Sequence, residues 1–421
     1  MKKKRIAIIG GGFSGCVSAF LLIKHGYDVS LFEKGEKLGG TSSDIIKEKN
    51  FFFNGPHYFD LNTKWVKEMM KYDELKEEFS IFEAYNDYRE NEFNFHGSYT
   101  DIFGKIQVSN FFAHPITSNS FKKVRDLKEE NTLCNRVDCY QKDVSSPLKD
   151  WLNKNSLDYE KLHSNCAELL NIGRICFIND LKKTKNTKKE NKYADHILGI
   201  PEEKAKLSRR FCISKRGNNS FYEKLYLFLN KKINIEFNSK IQIQPDNNKN
   251  IKILNRGKSL DVDHIIWAAN PVYILKELGY GVLDNPVVKV KIYCSEIEIF
   301  DSPTVESFYI QVFSLKTNIF RIYFYKTNTK YKITVETFFN KENNSLDEDS
   351  LRKILSHFNF KFKLKGTSSE RKEIRHYLMS KKDFNIFEKF NADFKNTNLI
   401  NGGWHLIGRE RKIEHIMNNF N

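Results

Sequence analysis

Three glycines near the start of the chain have the spacing of a nucleotide-binding loop. Gly10, Gly12 and Gly15 form the pattern G-x-G-x-x-G, and Glu33 follows further along the chain. The first glycine permits a tight turn, the second lets the backbone approach a pyrophosphate, and the third lets the next helix pack closely. Loop N–H groups and a helix N-terminus attract phosphate charge, and an acid placed like Glu33 can accept hydrogen bonds from a ribose diol. The spacing therefore predicts a dinucleotide site.

The elements around these residues have the order strand, helix, strand. Residues 6–9 are a short continuous apolar run, which is typical of a strand buried on both faces of a parallel sheet. An apolar helical face follows and ends at Gly26, and residues 29–32 predict a second strand that leads to Glu33. A glycine-rich turn without a ligand is the alternative. The agreement of two strands, turn, helix and acid counts against it.

A second pair of glycines follows Glu33 in the segment KGEKLGGTSSD. Gly39 and Gly40 permit close approach of the backbone, and the hydroxyls of Thr41 and Ser42 can donate hydrogen bonds to phosphate oxygens. With these residues the chain resembles the FAD-binding proteins of the glutathione-reductase structural class, and within it the group of amine oxidases, protoporphyrinogen oxidases and UDP-galactopyranose mutases. The resemblance implies that FAD is the cofactor and that the doublet passes beside its pyrophosphate and ribityl chain.

The segment FFFNGPHYFD, residues 51–60, extends the resemblance. We refer to the loop with Gly10, Gly12 and Gly15 as the phosphate loop. Galactopyranose mutases and their relatives have a strand, a Gly-x-His and an aromatic residue at a similar distance along the chain from this loop, close to the flavin ring. The matching positions are Gly55, His57 and Tyr58. The resemblance implies that Gly55 and His57 contact the flavin, that His57 is catalytic and that Tyr58 contacts the substrate. A histidine that caps a turn after the strand is the alternative for His57.

The segment NLINGGWHLIGRERKIEHIM, residues 398–417, predicts a short strand, a glycine turn and a helix. In the resembled group, the corresponding elements lie against the ribityl chain and the pyrimidine edge of the flavin, where a helix N-terminus can stabilise negative charge on reduced flavin. The cofactor-binding residues expected from the fingerprint and the resemblance are Gly10, Gly12, Phe13, Ser14, Gly15, Glu33, Lys34, Gly39, Gly40, Thr41, Ser42, Gly55, His57, Ile241, Gly402, Gly403, Lys412 and Ile413. The expected substrate residues are Tyr58, Trp404, Arg409 and Arg411. For the two arginines, an exposed basic start of the helix is the alternative.

The order of elements predicts an α/β protein with a Rossmann-like FAD-binding domain built from discontinuous segments, an inserted helical region and an antiparallel-sheet substrate domain. The substrate sheet is indicated by residues 287–339, which alternate between apolar and polar side chains. The predicted boundaries are 1–70, 214–270 and 398–421 for the FAD-binding domain, 71–125 and 271–397 for the mixed α/β substrate domain, and 126–213 for the helical region.

Composition limits the possible partners only weakly. The chain has 421 residues, and 69 Lys and Arg against 53 Asp and Glu give a net charge of +16. Affinity for nucleic acid, anionic lipid or an anionic small molecule would fit this charge, but an excess of lysine through the whole chain favours compositional drift. The seven cysteines contain no CxxC pair, which indicates reduced thiols and no metal site.

We expect a cytoplasmic protein with no nucleic-acid partner. The apolar run at residues 17–23 is shorter than the roughly 20 residues that cross a bilayer, and the start of the chain does not have the plan of a signal peptide. Peripheral membrane contact and the oligomeric state stay open.

The reaction has to be considered apart from the cofactor. The first hypothesis is an FAD-dependent oxidoreductase whose flavin accepts hydride from a C–H bond of a small molecule. The second is a redox-neutral nucleotide-sugar mutase similar to UDP-galactopyranose mutase, in which reduced flavin attacks a sugar. A flavin-fold binding protein without catalysis is the third.

The substrate residues of the mutase family are not retained. Its Arg after a Trp-Gly pair would fall in residues 193–200, which contain neither Trp nor Arg. Its C-terminal Gly-Gly is followed by Arg where this chain has Trp404, and its Tyr-Asp pair aligns with Arg411 and Lys412. Each lost guanidinium contact to a diphosphate would cost about 1.5–3 kcal/mol. We therefore expect a different small molecule, either an anion or another nucleotide sugar.

Overall fold

The computed structural model describes residues 3–47, 50–55, 58–85, 96–109, 114–115, 132–172, 175–176, 186, 188–190, 208–246, 250–284, 287–301, 307–327, 330–339 and 345–420. The helices are α1 Phe13–Lys24, α2 Lys64–Met69, α3 Asp73–Lys76, α4 Leu133–Asp138, α5 Lys142–Lys154, α6 Cys166–Leu169, α7 Asn218–Asn230, α8 Pro271–Glu277, α9 Glu348–Ser356, α10 Lys381–Asp393 and α11 Arg409–Met417. The strands are β1 Arg5–Ile9, β2 Asp28–Phe32, β3 Ile45–Lys47, β4 Asn50–Phe52, β5 Tyr58–Asp60, β6 Phe79–Tyr85, β7 His96–Thr100, β8 Gln107–Ser109, β9 His114–Pro115, β10 Ile175–Cys176, β11 Ser208–Ser214, β12 Asn234–Glu236, β13 Ile241–Pro245, β14 Ile251–Asn255, β15 Lys258–Leu260, β16 His264–Trp267, β17 Val287–Asp301, β18 Ser307–Phe313, β19 Ile319–Thr327, β20 Lys330–Phe338, β21 Lys361–Tyr377 and β22 Leu399–Asn401.

A five-stranded parallel sheet has the order β12-β2-β1-β16-β22. Its central strand β1 is buried from Ile6 to Ile9, which explains the continuous apolar run in the sequence. Strands β16 and β22 join this sheet from distant parts of the chain, so the Rossmann-like domain is built from discontinuous segments, as predicted. Because the strands are parallel, their carboxyl ends share one edge.

Helices α1, α7 and α11 contribute to one hydrophobic core with this sheet. Helix α1 is buried along most of its length, and it ends where the sequence predicts, because Gly26 adopts a φ of +84° directly after the C-cap. The apolar residues Ile413, Ile416 and Met417 of α11 are buried in the same core. The core fixes the N-termini of α1 and α11 relative to the sheet.

A seven-stranded sheet with the order β21-β17-β20-β19-β18-β7-β8 confirms the predicted antiparallel sheet. One face of this sheet packs on α9 in a cluster that includes Phe308, Phe324 and Leu351. The other face meets the helical region, where Trp151 of α5 lies 4.7 Å from the ring centroid of Phe313. The sheet is therefore covered on both faces, although its pairing is antiparallel except between β18 and β7.

The predicted helical region contains helices α4, α5 and α6, but its C-terminal end differs from the prediction. Residues 208–214 form strand β11, which pairs with β5 and β6 in a three-stranded antiparallel sheet. Phe211, Cys212 and Ile213 are all buried, because β11 is the central strand and both of its faces are covered. Three successive buried residues do not reveal the alternation that marks a half-exposed strand.

Side chains of the seven-stranded sheet hold the segment that precedes Gly55. The hydroxyl of Tyr325 accepts a hydrogen bond from the backbone N–H of Phe53 at 2.9 Å, and Thr334 Oγ1 donates to the Phe53 carbonyl at 2.9 Å. Lys332 Nζ donates to the Phe51 carbonyl at 2.6 Å. These polar side chains satisfy backbone groups that burial would otherwise leave unpaired. They also hold the two-stranded β3-β4 sheet next to the seven-stranded sheet.

Asp44 ties the loop after Ser42 to the start of α7. The N–H of Asn219 donates to Oδ2 of Asp44 at 2.8 Å, and the N–H of Asp44 donates to Oδ1 of Asn219 at 3.0 Å. Oδ1 of Asp44 is buried and has no hydrogen-bond partner within the described residues. Burial raises the pKa of Asp44 to about 6, although the hydrogen bonds from the backbone at Asn219 and Asn218 lower it.

We predict that Tyr325→Phe destabilises the fold by about 1–3 kcal/mol, because it leaves the buried N–H of Phe53 without its acceptor. The free energy of unfolding in urea measures the effect. Tyr331→Phe is the control, since no described residue hydrogen-bonds the Tyr331 hydroxyl, and it should change the free energy by less than about 0.5 kcal/mol. Equal effects of the two variants would contradict this role for Tyr325.

We predict that Asp44→Asn stabilises the protein above pH 6. The pKa of Asp44 is raised from 3.8 to about 6, so its stabilising contribution is complete below pH 3.8 and is lost as the pH rises through about 6. Asparagine keeps an acceptor for Asn219 and removes the charge. Urea unfolding at pH 8 should show a gain on the order of 1–2 kcal/mol.

Asp44→Asn should also weaken the pH dependence of the free energy of unfolding between pH 3.8 and about pH 6. Asp349→Asn is the control, because Asp349 is exposed at the start of α9. An Asp44→Asn protein that is less stable than the parent at pH 8 would show that the buried carboxylate stabilises the loop as an anion.

Candidate functional site

The loop between β1 and α1 uses its glycines in two different ways. A Cβ at Gly10 would lie 2.8 Å from the backbone nitrogen of Ala269, and a Cβ at Gly15 would overlap the carbonyl oxygen of Gly10. Both glycines are thus required by contacts inside the protein. At Gly12, no described atom beyond the two chain neighbours lies within 4 Å of the position that a Cβ would take. Gly12 therefore faces open space at the N-terminus of α1, where a phosphate group would find loop N–H groups and the helix dipole.

Glu33 stands at the end of β2 with its carboxylate oriented by the backbone. Its Oε2 accepts a hydrogen bond from the N–H of Gly11 at 2.6 Å, and its Oε1 accepts one from the N–H of Gly35 at 2.6 Å. A carboxylate can accept about four hydrogen bonds, so each oxygen keeps a position for a ribose hydroxyl. The neighbouring Lys34 is exposed. The structure thus places Glu33 next to the phosphate loop, as the spacing predicts.

The second glycine pair runs alongside the phosphate loop. The N–H of Gly39 donates to the carbonyl of Gly11 at 2.9 Å, and Gly39 forms a parallel bridge with Gly12. A Cβ at Gly40 would lie 3.3 Å from the Cα of Gly12. Gly39 and Gly40 have φ values of +116° and +53°. The doublet therefore borders the open space at Gly12, and the exposed Thr41 continues from it.

The loop after β22 lies at the same edge of the parallel sheet. A Cβ at Gly402 would lie 2.8 Å from the carbonyl oxygen of Trp267 at the end of β16. The N–H of Gly403 donates to Oδ1 of Asn401 at 2.7 Å, which fixes the turn. In open α/β sheets, ligands bind outside the carboxyl ends of the strands where the strand order reverses. Here that point lies between β1 and β16, and the loop after β16 contacts both Gly10 and Gly402 at Ala268 and Ala269.

The remaining expected cofactor residues fall around this edge to different degrees. Phe13 and Ile413 are buried, and Ser14 is half-buried. Ile241 begins strand β13, shortly after Ser239, whose N–H donates to the carbonyl of Glu33 at 2.9 Å. Gly55 is buried with a φ of +103°, His57 lies outside the described residues, and Ser42 accepts a hydrogen bond from Asn218 at its carbonyl.

The expected substrate residues each have contacts with other described residues. Arg409 lies with its guanidinium 5.1 Å from the ring centroid of Phe13, so it borders the phosphate loop. Arg411 forms an ion pair of 3.0 Å with Glu168 of the helical region. Trp404 donates its indole N–H to the carbonyl of Trp267 at 3.2 Å. A role of Arg411 or Trp404 at a ligand stays a prediction.

Tyr58 points away from the phosphate loop. Successive residues of a strand face opposite sides, and Phe59 stacks on Phe13 at 5.6 Å while the Tyr58 hydroxyl hydrogen-bonds Nε2 of the buried His96. The His96 ring lies 5.5 Å from the ring of Tyr309. Tyr58 thus connects the short antiparallel sheet to the seven-stranded sheet.

A buried polar network on the seven-stranded sheet was not foreseen from the sequence. Oε1 of Gln311 accepts hydrogen bonds from Asn171 at 2.6 Å, from Tyr309 at 2.7 Å and from Arg321 Nε at 3.3 Å. Arg321 also lies 3.8 Å from the carboxylate of Glu336. Burial of such groups requires satisfied partners, and this network gives the sheet face a fixed polar surface. The alternation of apolar and polar residues in β18 and β19 is a sequence signal for side chains such as Gln311 and Arg321, but it does not identify their hydrogen-bond partners.

Within the described residues, no helix is both long and apolar enough to cross a membrane. The same residues contain no group of three or more His, Cys, Asp or Glu side chains arranged to hold a metal ion.

Comparison with known proteins gives matches to parts of the chain. Residues 8–72 match the NAD(P)-binding Rossmann-like domain. A segment of 36 residues is 61% identical to the 4,4'-diapolycopen-4-al dehydrogenase of Metabacillus indicus and covers 9% of this chain and 7% of that protein. A segment of 91 residues is 31% identical to the 4,4'-diapophytoene desaturase of Staphylococcus aureus strain Newman, over 20% of this chain and 18% of that protein. The chain thus matches less than a fifth of the length of either relative.

Solved structures match over the whole chain. The match to a reduced UDP-galactopyranose mutase covers 100% of this chain and 94% of that chain, with a TM-score of 0.67 and 11% identity. The match to a putative protoporphyrinogen oxidase from Exiguobacterium sp. 255-15 covers 100% of this chain and 98% of that chain, with a TM-score of 0.59 and 12% identity. Similarity at this identity establishes the fold, so the chain has the fold of these structures, with a Rossmann-like α/β nucleotide-binding domain joined to an antiparallel sheet.

Proposed function

We propose that this protein binds FAD and acts as an FAD-dependent oxidoreductase on a small molecule. The observation that carries the proposal is the open space at Gly12, which is bordered by the phosphate loop and the second glycine pair. A Cβ there would meet no described atom beyond its chain neighbours, so a ligand that approaches the backbone explains the glycine. An extended dinucleotide fits this edge.

The individual residues would hold different parts of FAD. Gly12 and the N-terminus of α1 would bind the pyrophosphate, Glu33 would accept hydrogen bonds from the adenosine ribose, and Gly39 with Gly40 would contact the chain that leads to the flavin. Gly402 and Gly403 would lie along the far end. When bound, the flavin supplies the chemistry, which is acceptance of hydride from a C–H bond of the substrate.

The length of the sheet edge that these loops line favours FAD over a nicotinamide dinucleotide. The second glycine pair and the turn after β22 extend the edge on both sides of the phosphate loop. The names of the matched relatives, a dehydrogenase and a desaturase, and that of the oxidase with the same fold also support redox chemistry.

The seven-stranded sheet would orient the substrate and exclude water from it. Tyr323 and Tyr325 pack with Phe53 in a buried aromatic cluster next to the polar network of Gln311 and Arg321. His57 remains the proposed catalytic residue.

A redox-neutral mutase is the second candidate, supported by the fold similarity to the galactopyranose mutase. The pairing of Arg411 with Glu168 weakens it, because this arginine is used to join α11 to the helical region. Turnover that needs reduced flavin but shows no net electron transfer would support the mutase. Substrate-dependent bleaching of the flavin, followed by reoxidation by an electron acceptor, would support the oxidoreductase. A bound flavin whose absorbance and redox state are changed by neither class of substrate would support a binding protein without catalysis.

We predict that Gly12→Val abolishes FAD binding without destabilising the protein. A Cβ at this position meets no described atom within 4 Å beyond its chain neighbours, so we expect the side chain to displace the ligand rather than the protein. The FAD released on denaturation should fall from about one per chain by at least about tenfold, which requires a loss of more than about 1.4 kcal/mol of binding free energy. Unfolding midpoints are compared after FAD is removed, since bound ligand stabilises the native state.

Gly15→Ala is the contrasting variant, because its methyl group would overlap the carbonyl of Gly10. It should lower both the unfolding midpoint and the FAD content. Full occupancy in Gly12→Val would show that the loop is not the site. A parent protein without visible flavin absorbance, which also releases no FAD, would refute the proposed cofactor.

A further inference from the structure

A buried carboxylate lies on the chain segment that leaves the second glycine pair. Asp44 follows the turn Gly40–Ser42 and is 7% exposed. Its Cα is at most about 14 Å from that of Gly40, because the two are four residues apart. Gly40 in turn borders the open space at Gly12. Salt screens buried charges less than exposed ones, so Asp44 is near enough to interact with a phosphate bound at Gly12.

The start of α7 encloses the carboxylate of Asp44. A Cβ at Gly217, the N-cap of this helix, would overlap Oδ2 of Asp44 and would lie 2.7 Å from the ring of Phe51. The N–H of Asn219 donates to the same carboxylate oxygen at 2.8 Å. The carboxylate is thus held between the loop and the helix.

Two buried oxygen atoms at this place have no hydrogen-bond donor. Oδ1 of Asp44 and Oδ1 of Asn218 both lack a partner among the described residues. The other end of the Asn218 amide is fixed, because its nitrogen donates to the carbonyl of Ser42 at 3.2 Å. Buried polar atoms normally have partners. A proton on Asp44 removes one of the two unpaired acceptors, since a protonated carboxyl group can donate a hydrogen bond.

The cations near Asp44 attract its charge without contacting it. Lys332 of β20 and Lys37, in the loop after β2, act on the carboxylate, but neither forms an ion pair with it in the described part of the chain. Lys332 instead donates to the carbonyl of Phe51 at 2.6 Å and lies 3.9 Å from the centroid of its ring. Lys37 is exposed. Burial outweighs the attraction of both lysines and raises the pKa of Asp44 to about 6.

Helix α7 contacts the second glycine pair as well as Asp44. A Cβ at Gly39 would lie 2.8 Å from Cδ2 of the Tyr222 ring and 2.8 Å from Oγ of Ser43. Tyr222 is the titratable group of α7 that interacts with Asp44, and it is uncharged at neutral pH, because burial raises its pKa. The interior between Asp44 and the glycine pair is therefore closely packed, and electrostatic interactions are strong in such surroundings.

We propose that Asp44 takes up a proton when FAD binds, so that the affinity for FAD falls as the pH rises. The inference rests on the proposed function and concerns the regulation of the same site. The pyrophosphate of FAD brings negative charge to the N-terminus of α1, and this charge repels an ionised Asp44. Binding therefore favours the protonated carboxyl group, and the proton comes from the solvent. By linkage, a group that gains a proton on binding makes the affinity decrease with pH.

The pH range of the effect follows from the sign of the change. The bound cofactor raises the pKa of Asp44 above its value of about 6 in the FAD-free protein. The affinity is therefore highest below about pH 6, falls as the pH rises through the pKa of the FAD complex, and is constant above it.

The test compares the parent with Asp44→Asn and Asp349→Asn. Asparagine keeps an acceptor for Asn219 and has an amide donor where a protonated carboxyl group has its hydroxyl, so it imitates the protonated state. Asp349 is an exposed acid at the start of α9 and serves as the control. The dissociation constant of FAD is measured from about pH 5 to pH 8. Calorimetry in two buffers of different ionisation enthalpy gives the protons taken up on binding.

We expect the dissociation constant of the parent to rise about tenfold between about pH 5 and pH 8, which corresponds to a rise of about one in the pKa of Asp44 on binding. Near pH 6.5, binding should take up about half a proton per FAD. Asp349→Asn should behave like the parent. Asp44→Asn should bind FAD at pH 8 about as tightly as the parent does at pH 5, and should lose this proton uptake.

The unfolding midpoint of the FAD-free proteins confirms that each variant folds. A dissociation constant of the parent that is equal at both pH values would overturn the inference. Equal proton uptake by the parent and Asp44→Asn would also overturn it, because the proton would then bind to another group such as His405. In both cases the proposed FAD site would stand. If the parent binds no FAD at any pH, the proposed function fails, and the inference fails with it.

Discussion

The parallel pairing of β1 with β16 is the contact on which the nucleotide edge depends. It joins Ile6–Ile9 to His264–Trp267, and it brings the loop after each strand to the same edge. The two loops then pack so closely that only glycine fits at residue 10 beside Ala269. A shift of the pairing by one residue would turn the buried side chains of β1 to the opposite face. The phosphate loop, the turn after β22 and the first turn of α11 take their positions from this register.

The seven-stranded sheet completes the site through side chains rather than through strand pairing. Tyr325 and Thr334 hydrogen-bond the N–H and the carbonyl of Phe53, and the side chain of Asn54 donates to the carbonyl of Thr41 at 3.3 Å. A displacement of the sheet would thus reach the phosphate loop through these hydrogen bonds. The polar network around Gln311 makes such a displacement costly, because several buried groups would lose their partners together.

The phosphate loop and its acid could be predicted because their function depends on a single β-α-β unit. Spacing alone placed Gly12 and Glu33 correctly relative to each other, since the connecting helix and strands have standard lengths. The contact of His96 with Tyr309 could not be predicted, because it depends on the pairing of two strands that are distant in sequence. The packing of Trp404 was also missed: an aromatic residue after a glycine turn has the same sequence signature whether it faces a ligand or a core.

The place of β22 in the sheet also has a consequence for biosynthesis. Residues 399–401 form the strand that covers the outer edge of β16, and they are synthesised long after β1 and β2. Until β22 is made, β16 exposes unpaired backbone groups at the edge of the sheet. A nascent chain can form its β-α-β unit early, but the five-stranded sheet is complete only after residues 399–401 have been added. Premature termination near residue 398 would therefore leave a chain that is folded in part and prone to association through that edge.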